Sequence, residues 1–254
     1  PGTTKIKAKK SRDHTEILFK KLNIPIKIRK EKNYDFIEVE SSSINAFNYN
    51  IPGDISSCAF FIVLTLLSKN SKLIIKNINI NPTRTGIIKI LNKMGAKIKF
   101  LNKRTYMGEK TADIKVSSSN KLKGINCPTS LNSSAIDEFL IIFLVAAKAK
   151  GVSTFKNLSE LNQKESPRLK IGSEILKQIG IKTLVKNHSI KIFGNPSLNL
   201  KSRYKVKNFY KDHRIFMMSV IAGLVFGGEW IIHDKDSINS SFPNFLKKIN
   251  EIKK

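Results

Sequence analysis

Negative charge is scarce in this chain: 19 Asp and Glu stand against 46 Lys and Arg, a formal net charge of +27 at pH 7 over 254 residues. The imbalance creates a positive potential that favours anionic partners, nucleic acid or phosphorylated metabolites among them. The basic residues are scattered over nearly every polar segment among many Ile and Asn, the pattern of a compositional bias rather than of a dedicated patch. Aromatics do not interleave with the basic runs as a stacking platform requires, and no nucleic-acid motif is present, so no specific nucleic-acid partner is expected. Cysteine is almost absent. Cys58 and Cys127 lie in apolar or Pro-flanked surroundings without metal-type spacing, which points to inert thiols in a reducing, cytoplasmic compartment. No apolar run reaches the roughly 18 residues of a membrane span. No membrane association is expected. The sequence opens on Pro1 rather than Met, and "PGTTKIKAKKSRDHTE" holds no apolar targeting segment, so it is expected to begin inside a longer protein.

What is present is 41% hydrophobic residues, enough to bury a sizeable core, arranged in a recurring unit. Three apolar runs, "CAFFIVLTLL" (58–67), "FLIIFLVAA" (139–147) and "IFMMSVIAGLVF" (215–226), read as buried helices. Polar clusters lead into them: "GDISS", "SSAIDE" and "YKDHR". β-rich segments follow, and "TRTGIIKILNKMGAKIKF" and "SPRLKIGSEILKQIGIKTLV" then share a helix, a Gly stop and a strand in the same order. "SSFPNFLKKINEI" supplies the matching helix of a third copy. The expected fold is α/β (α+β), with three copies around buried parallel helices. Residues 51–254 would form one domain with repeats at 51–125, 126–205 and 206–254. Residues 1–50, a helix at about 13–22 followed by two strands, would be the remnant of another, with Pro52-Gly53 as the hinge.

If the three buried helices lie side by side with their polar ends together, their unpaired N–H groups and dipoles converge on one mouth that attracts phosphate and carboxylate. The candidate chemistry lies at those ends. Asp137 and Glu138 begin the second helix, where the plain role of Asp137 is a capping carboxylate. His213 and Arg214 begin the third, and by themselves are an ordinary surface histidine and ion-pair partner. In "LNQKESPRLK", Ser166 is a natural N-cap and Pro167 a natural first helical residue. Lys164 and Glu165 are then free to face a ligand rather than to cap. Lys164, Arg168 and Arg214 would supply donors to a doubly anionic substrate, and Glu165 could shuttle a proton.

"SRDHTE" (11–16), "PGDISS" (52–57), "INPTRTG" (80–86), "IDE" (136–138), "QKESPR" (163–168), "DHRI" (212–215) and "INSSFP" (238–243) stand in one order along nearly the whole chain. In this the sequence resembles the 5-enolpyruvylshikimate-3-phosphate (EPSP) synthases, in the form that carries Ser-Arg-Asp-His-Thr-Glu. The chain looks like the carboxy-terminal half of such an enzyme and a little more. The resemblance implies two domains of threefold β-α-β-α-β-β units with a cleft between them. It implies transfer of the enolpyruvyl group from phosphoenolpyruvate to the 5-hydroxyl of shikimate-3-phosphate, without metal or organic cofactor. It also implies a monomer when full-length.

By the same resemblance, Asp137 would act at the shikimate 5-hydroxyl, and Glu165 would exchange a proton with the phosphoenolpyruvate methylene. Lys164 would touch shikimate and the reacting centre. Arg168 and Arg214 would bind phosphoenolpyruvate with His213 beside them, and Ser11 and Arg12 would hold the shikimate phosphate. Pro167 departs from the family's usual Asp or Thr, and Ser240 from the Lys that some members carry. The family's remaining Lys, Ser, Arg and Gln site residues would belong to a front half not in this sequence, leaving the present portion inactive alone. Two other readings are the sister transferase acting on UDP-N-acetylglucosamine, which shares the fold, and a basic nucleic-acid-binding module.

Overall fold

The computed structural model describes residues 2–252. The chain begins with strand β1 (Thr3–Lys9), helix α1 (His14–Lys21) and strands β2 (Ile26–Lys30) and β3 (Tyr34–Glu40). These strands form an antiparallel sheet in the order β1-β3-β2. Little of this part is buried: among described residues before Gly53, Ile24 alone falls below one-tenth exposure.

The first repeat follows as α2 (Ile55–Leu67), β4 (Lys72–Asn79), α3 (Gly86–Lys93), β5 (Lys97–Tyr106) and β6 (Glu109–Ser117). The second has a short α4 (Asn132–Ala135), then α5 (Phe139–Lys148), β7 (Gly151–Phe155), α6 (Arg168–Gln178), β8 (Thr183–Lys186) and β9 (Ser189–Gly194). The last elements are β10 (Leu200–Val206), α7 (His213–Phe226), β11 (Gly227–Ile232) and α8 (Phe245–Ile252). The sheets β4-β6-β5 and β7-β9-β8 match strand for strand, with the last strand of each central and antiparallel to both neighbours.

Each buried helix is a crossover between parallel neighbours, as parallel pairing requires. Gly53 pairs with Ile78 across α2, Asn126 with Thr154 across α5, and β10 with β11 across α7. The fold is therefore α/β, with the β-α-β-α-β-β order expected. The expected boundary between the second and third repeats at residue 205 runs through β10, which pairs with β11 of the third.

The helices α2 and α5 are apolar on nearly all sides because nearly all sides are covered, and α7 is covered likewise except near its end, where Leu224 is exposed. They pack against one another and carry most of one continuous core. Phe139, Phe143 and Phe155 meet edge-on or tilted at 5.5 to 6.2 Å in the second repeat. Phe60 and Phe61 pack against Phe245 of α8 at 5.9 Å, so the third repeat's last helix closes on the first repeat's buried helix. Each such ring contributes roughly 1.5–3 kcal/mol by leaving water. Cys58 and Cys127 are both buried free thiols; burial pushes the Cys127 thiol up to about 11, and the Cys58 thiol up further. Among the described residues no helix is long and apolar enough to cross a membrane.

Candidate active site

The N-terminal ends of α2, α5 and α7 meet, and side chains tie them together. Asp54 caps α2 by accepting from the Ser57 amide at 2.9 Å, and Asp212 caps α7 by accepting from the Arg214 amide at 2.9 Å. The second helix is built differently. The four-residue α4 ends at Ala135, a turn covers 136–138, and α5 starts only at Phe139. Asp137 therefore lies in the turn and caps nothing, which removes its plain structural role.

Four cations surround Asp137 instead. Arg12 donates a short hydrogen bond to Oδ2, and the Arg214 guanidinium lies 4.0 Å from the same oxygen. Lys164 Nζ is 3.7 Å and an Arg168 terminal nitrogen 3.5 Å from Oδ1. Arg214 also donates to the Asp137 carbonyl at 3.0 Å, fixing the turn. Burial alone would raise the Asp137 carboxyl, but Arg214, Arg12 and Lys164 outweigh it and hold it below its ordinary value.

Arg168 is the most constrained of the four, being 1% exposed. Its Nε donates to Asp212 Oδ2 at 2.8 Å, and one terminal nitrogen serves both Asp212 Oδ1 at 3.3 Å and Glu165. The other terminal nitrogen is buried without a hydrogen bond and faces Asp137. A buried unpaired donor costs on the order of 1–3 kcal/mol, so the arrangement holds one donor of a cation in reserve at the mouth.

Ser166 and Pro167 depart from expectation. Helix α6 begins at Arg168 with Pro167 in the N-cap position and no side-chain cap. The Ser166 hydroxyl instead donates to Asp212 Oδ2 at 2.7 Å, a charge-assisted bond to a buried carboxylate, and does not accept from the N–H groups at the start of α6. Lys164 and Glu165 do lie outside the helix. Lys164 reaches Glu160 at 3.0 Å, and Glu165 is half exposed. His213 is half-buried at the first position of α7; burial pushes its imidazole down, with Arg214 acting in the same direction. Ser11 is exposed in the loop between β1 and Arg12.

The family model described as EPSP synthase (3-phosphoshikimate 1-carboxyvinyltransferase) matches residues 1–249. The chain belongs to the EPSP synthase family. A 3-phosphoshikimate 1-carboxyvinyltransferase of Petrotoga mobilis is 38% identical over 251 residues, covering 99% of this chain and 57% of that protein. One from Caldicellulosiruptor bescii is 40% identical over 236 residues, covering 93% of this chain and 54% of that protein. The EPSP synthase of Acinetobacter baumannii superposes with a TM-score of 0.88 at 34% identity over 99% of this chain and 57% of its own. An enolpyruvyl transferase of Streptomyces tendae, NikO, shares the fold with a TM-score of 0.72 at 14% identity. The chain thus spans just over half the length of the curated relatives it matches.

Within this member of the EPSP synthase family, Arg12, Asp137, Lys164, Glu165, Arg168 and Arg214 form one connected cluster, with His213 adjoining it in sequence. Three members of the same assembly carried no role in the sequence reading. Asp212 holds Arg168, while Arg84 and Ser56 join the α2 end to Glu138. Their motifs, "DHRI", "INPTRTG" and "PGDISS", were visible, but only the packed helices show which of their side chains face the mouth. Among the described residues no group of His, Cys, Asp and Glu is placed to hold a metal ion.

Proposed function

We propose that this chain forms one wall of an EPSP synthase site and part of the other, in which phosphoenolpyruvate gives its enolpyruvyl group to the 5-hydroxyl of shikimate-3-phosphate and inorganic phosphate leaves. The observation that carries the reading is the set of four cations converging on Asp137 at the shared mouth of three helices. Such a mouth suits two substrates that bring a phosphate and a carboxylate each. Residues 1–50 belong to the opposite wall and residues 51–254 to this one, with Ser11 and Arg12 reaching across to the shikimate phosphate. The partners are these two small acids, no metal or organic cofactor enters the chemistry, and the assembled protein works as a cytoplasmic monomer.

Glu165 gives its proton to the methylene carbon of phosphoenolpyruvate, which makes the adjacent carbon electrophilic. The shikimate 5-hydroxyl adds there as its proton passes to Asp137. The carbon–oxygen bond to phosphate then breaks, the leaving oxygen takes the electron pair and the proton held by Asp137, and a methyl proton returns to Glu165. In the free site the cations make Asp137 a poor base. Substrate anions that engage Arg12, Lys164 and Arg214 would relieve that hold and raise its basicity when a proton must be taken. Arg168 and Arg214, with His213 beside them, hold phosphoenolpyruvate, and fixed donors stabilise the charge that gathers on it.

The experiment joins this chain to the amino-terminal portion of a relative such as the Petrotoga mobilis protein and follows phosphate release. Release is expected to need both substrates and to fall at least about a hundredfold in Glu165→Gln, since an amide cannot exchange the proton. Release that proceeds with UDP-N-acetylglucosamine in place of shikimate-3-phosphate would favour the sister reaction and sink this one.

A further inference from the structure

Glu138 follows Asp137 in the same turn and is 3% exposed, yet the proposed reaction gives it no task. Its carboxyl accepts a short hydrogen bond from the Ser56 hydroxyl, in the first turn of α2. Ser56 Oγ accepts from Arg84 at 2.8 Å, and the same Arg84 nitrogen donates to Asp54 Oδ1 at 2.8 Å. One chain of bonds therefore runs from the cap of α2, through Arg84 and Ser56, to the residue that opens α5. The charged groups facing Glu138 are Arg84, with its partner Asp54, from the first repeat, Asp137 on its own turn and Arg214 from α7. His213 stands next to Arg214 at the start of α7.

We propose that Glu138 is a positioning residue of the anion-binding mouth: it ties α2 to α5 through Ser56 and, by gaining or losing a proton, sets how much of the charge of Arg84 and Arg214 is left for an anionic ligand. The inference rests on the reading of that mouth as an anion site. Burial pushes the Glu138 carboxyl up to about 7, against the pull of Arg214 and the Ser56 hydrogen bond, so the proton exchanges near neutrality. Neutral Glu138 leaves Arg84 with Asp54 and Arg214 with Asp137 as their remaining counter-charges, a less compensated pair that favours anion binding, whereas ionised Glu138 opposes it. By linkage, a bound anion must raise the Glu138 midpoint by the factor through which protonation tightens binding.

Sulfate is the probe, because its charge is constant across the neutral range while phosphate itself titrates there. Calorimetry on the 254-residue chain should show sulfate affinity falling roughly tenfold from about pH 6 to about pH 8, one unit charge acting across a water-poor mouth. Glu138→Gln, which keeps the shape but cannot ionise, should hold the higher affinity throughout that range. Ser56→Ala removes a bond that favours the ionised form and should move the fall to higher pH. Carboxyl carbon NMR on the unaltered chain, assigned with Glu138→Gln, should place the midpoint near 7 and move it up by about one pH unit in saturating sulfate. Parallel curves for the unaltered chain and Glu138→Gln would overturn the proposal. So would an absence of sulfate binding, or a midpoint at the ordinary glutamate value. None of these readouts needs turnover, so an active transferase with a flat sulfate response rejects the role of Glu138 alone. An inactive one with the full response rejects the transfer reading alone.

Discussion

At the scale of single residues, Asp212 shows how much of the site is structural support. It is wholly buried and accepts from Arg168, from the Ser166 hydroxyl and from the Arg214 amide. Removing it in Asp212→Ala strands a buried guanidinium, which should cost about 3–5 kcal/mol in urea denaturation. Asp212→Asn should lose less, since Asn still caps α7. Equal losses from the two would contradict the ion-pair account. Burial would raise the Asp212 carboxyl, but Arg168, Ser166 and the Arg214 amide hold it below its ordinary value. The unfolded chain then binds the proton more tightly, so this stabilisation is present above about pH 4 and is lost as pH falls through the folded value. The gap between the unaltered protein and Asp212→Ala should therefore narrow below about pH 4. The sequence showed Asp212, Arg168 and Ser166 but not their meeting. A Ser-Pro pair before a helix reads locally as a cap, and only the packing of α6 against α7 supplies the buried carboxylate that draws the hydroxyl away.

At the scale of elements, the three buried helices were legible because burial best explains runs of nine to twelve nearly unbroken apolar residues, too few to span a membrane. The parallel pairing of β10 was not, because its partner lies beyond an intervening helix, and a surface strand carries no mark of the neighbour it will take. Nor was the break between α4 and α5, which lifts Asp137 out of a capping role. Beside that break, α3 and α4 are in close contact. A Cβ added to Gly86, the first residue of α3, would come within 2.7 Å of the Ser134 carbonyl carbon and oxygen in α4. Backbone atoms cannot swing aside as a side-chain end can. Gly86→Ala should cost at least about 1–3 kcal/mol and push α4, with the Asp137 turn behind it, out of place. The check is a lowered urea midpoint at an unchanged denaturant slope, together with weakened sulfate binding. A neutral effect on both would mean that α4 yields without moving the site.

At the scale of the whole molecule, burial is distributed unevenly. The continuous core draws on residues 55–249, while the sheet β1-β3-β2 with α1 contributes no member to it. Ile44, Phe47 and Ile51 are exposed in the connecting segment, Ile51 by 84%. What fastens the first part to the rest is mainly polar: Arg12 to Asp137, Asp13 to Asn81 at 2.8 Å, and His14 to Glu109. Hydrogen bonds of this kind contribute only about 0.5–1.5 kcal/mol each, somewhat more when charged, too little to hold a sheet that has almost no core of its own. Limited proteolysis should therefore cut first within residues 1–52 and leave a resistant product that starts near Pro52. That product should unfold at nearly the same urea concentration as the whole chain. On the proposed function neither species turns over, because orienting two substrates, worth roughly 7–11 kcal/mol of barrier, needs both walls of the cleft. Adding the amino-terminal portion of a relative should both restore phosphate release in the 254-residue chain and protect residues 1–52 from the protease. The 52–254 product should gain neither, since it lacks Arg12 and the sheet on which the added portion would build. Phosphate release by the 254-residue chain alone, dependent on both substrates, would show that residues 1–50 are wall enough opposite residues 51–254 and that the need for a further amino-terminal portion is wrong.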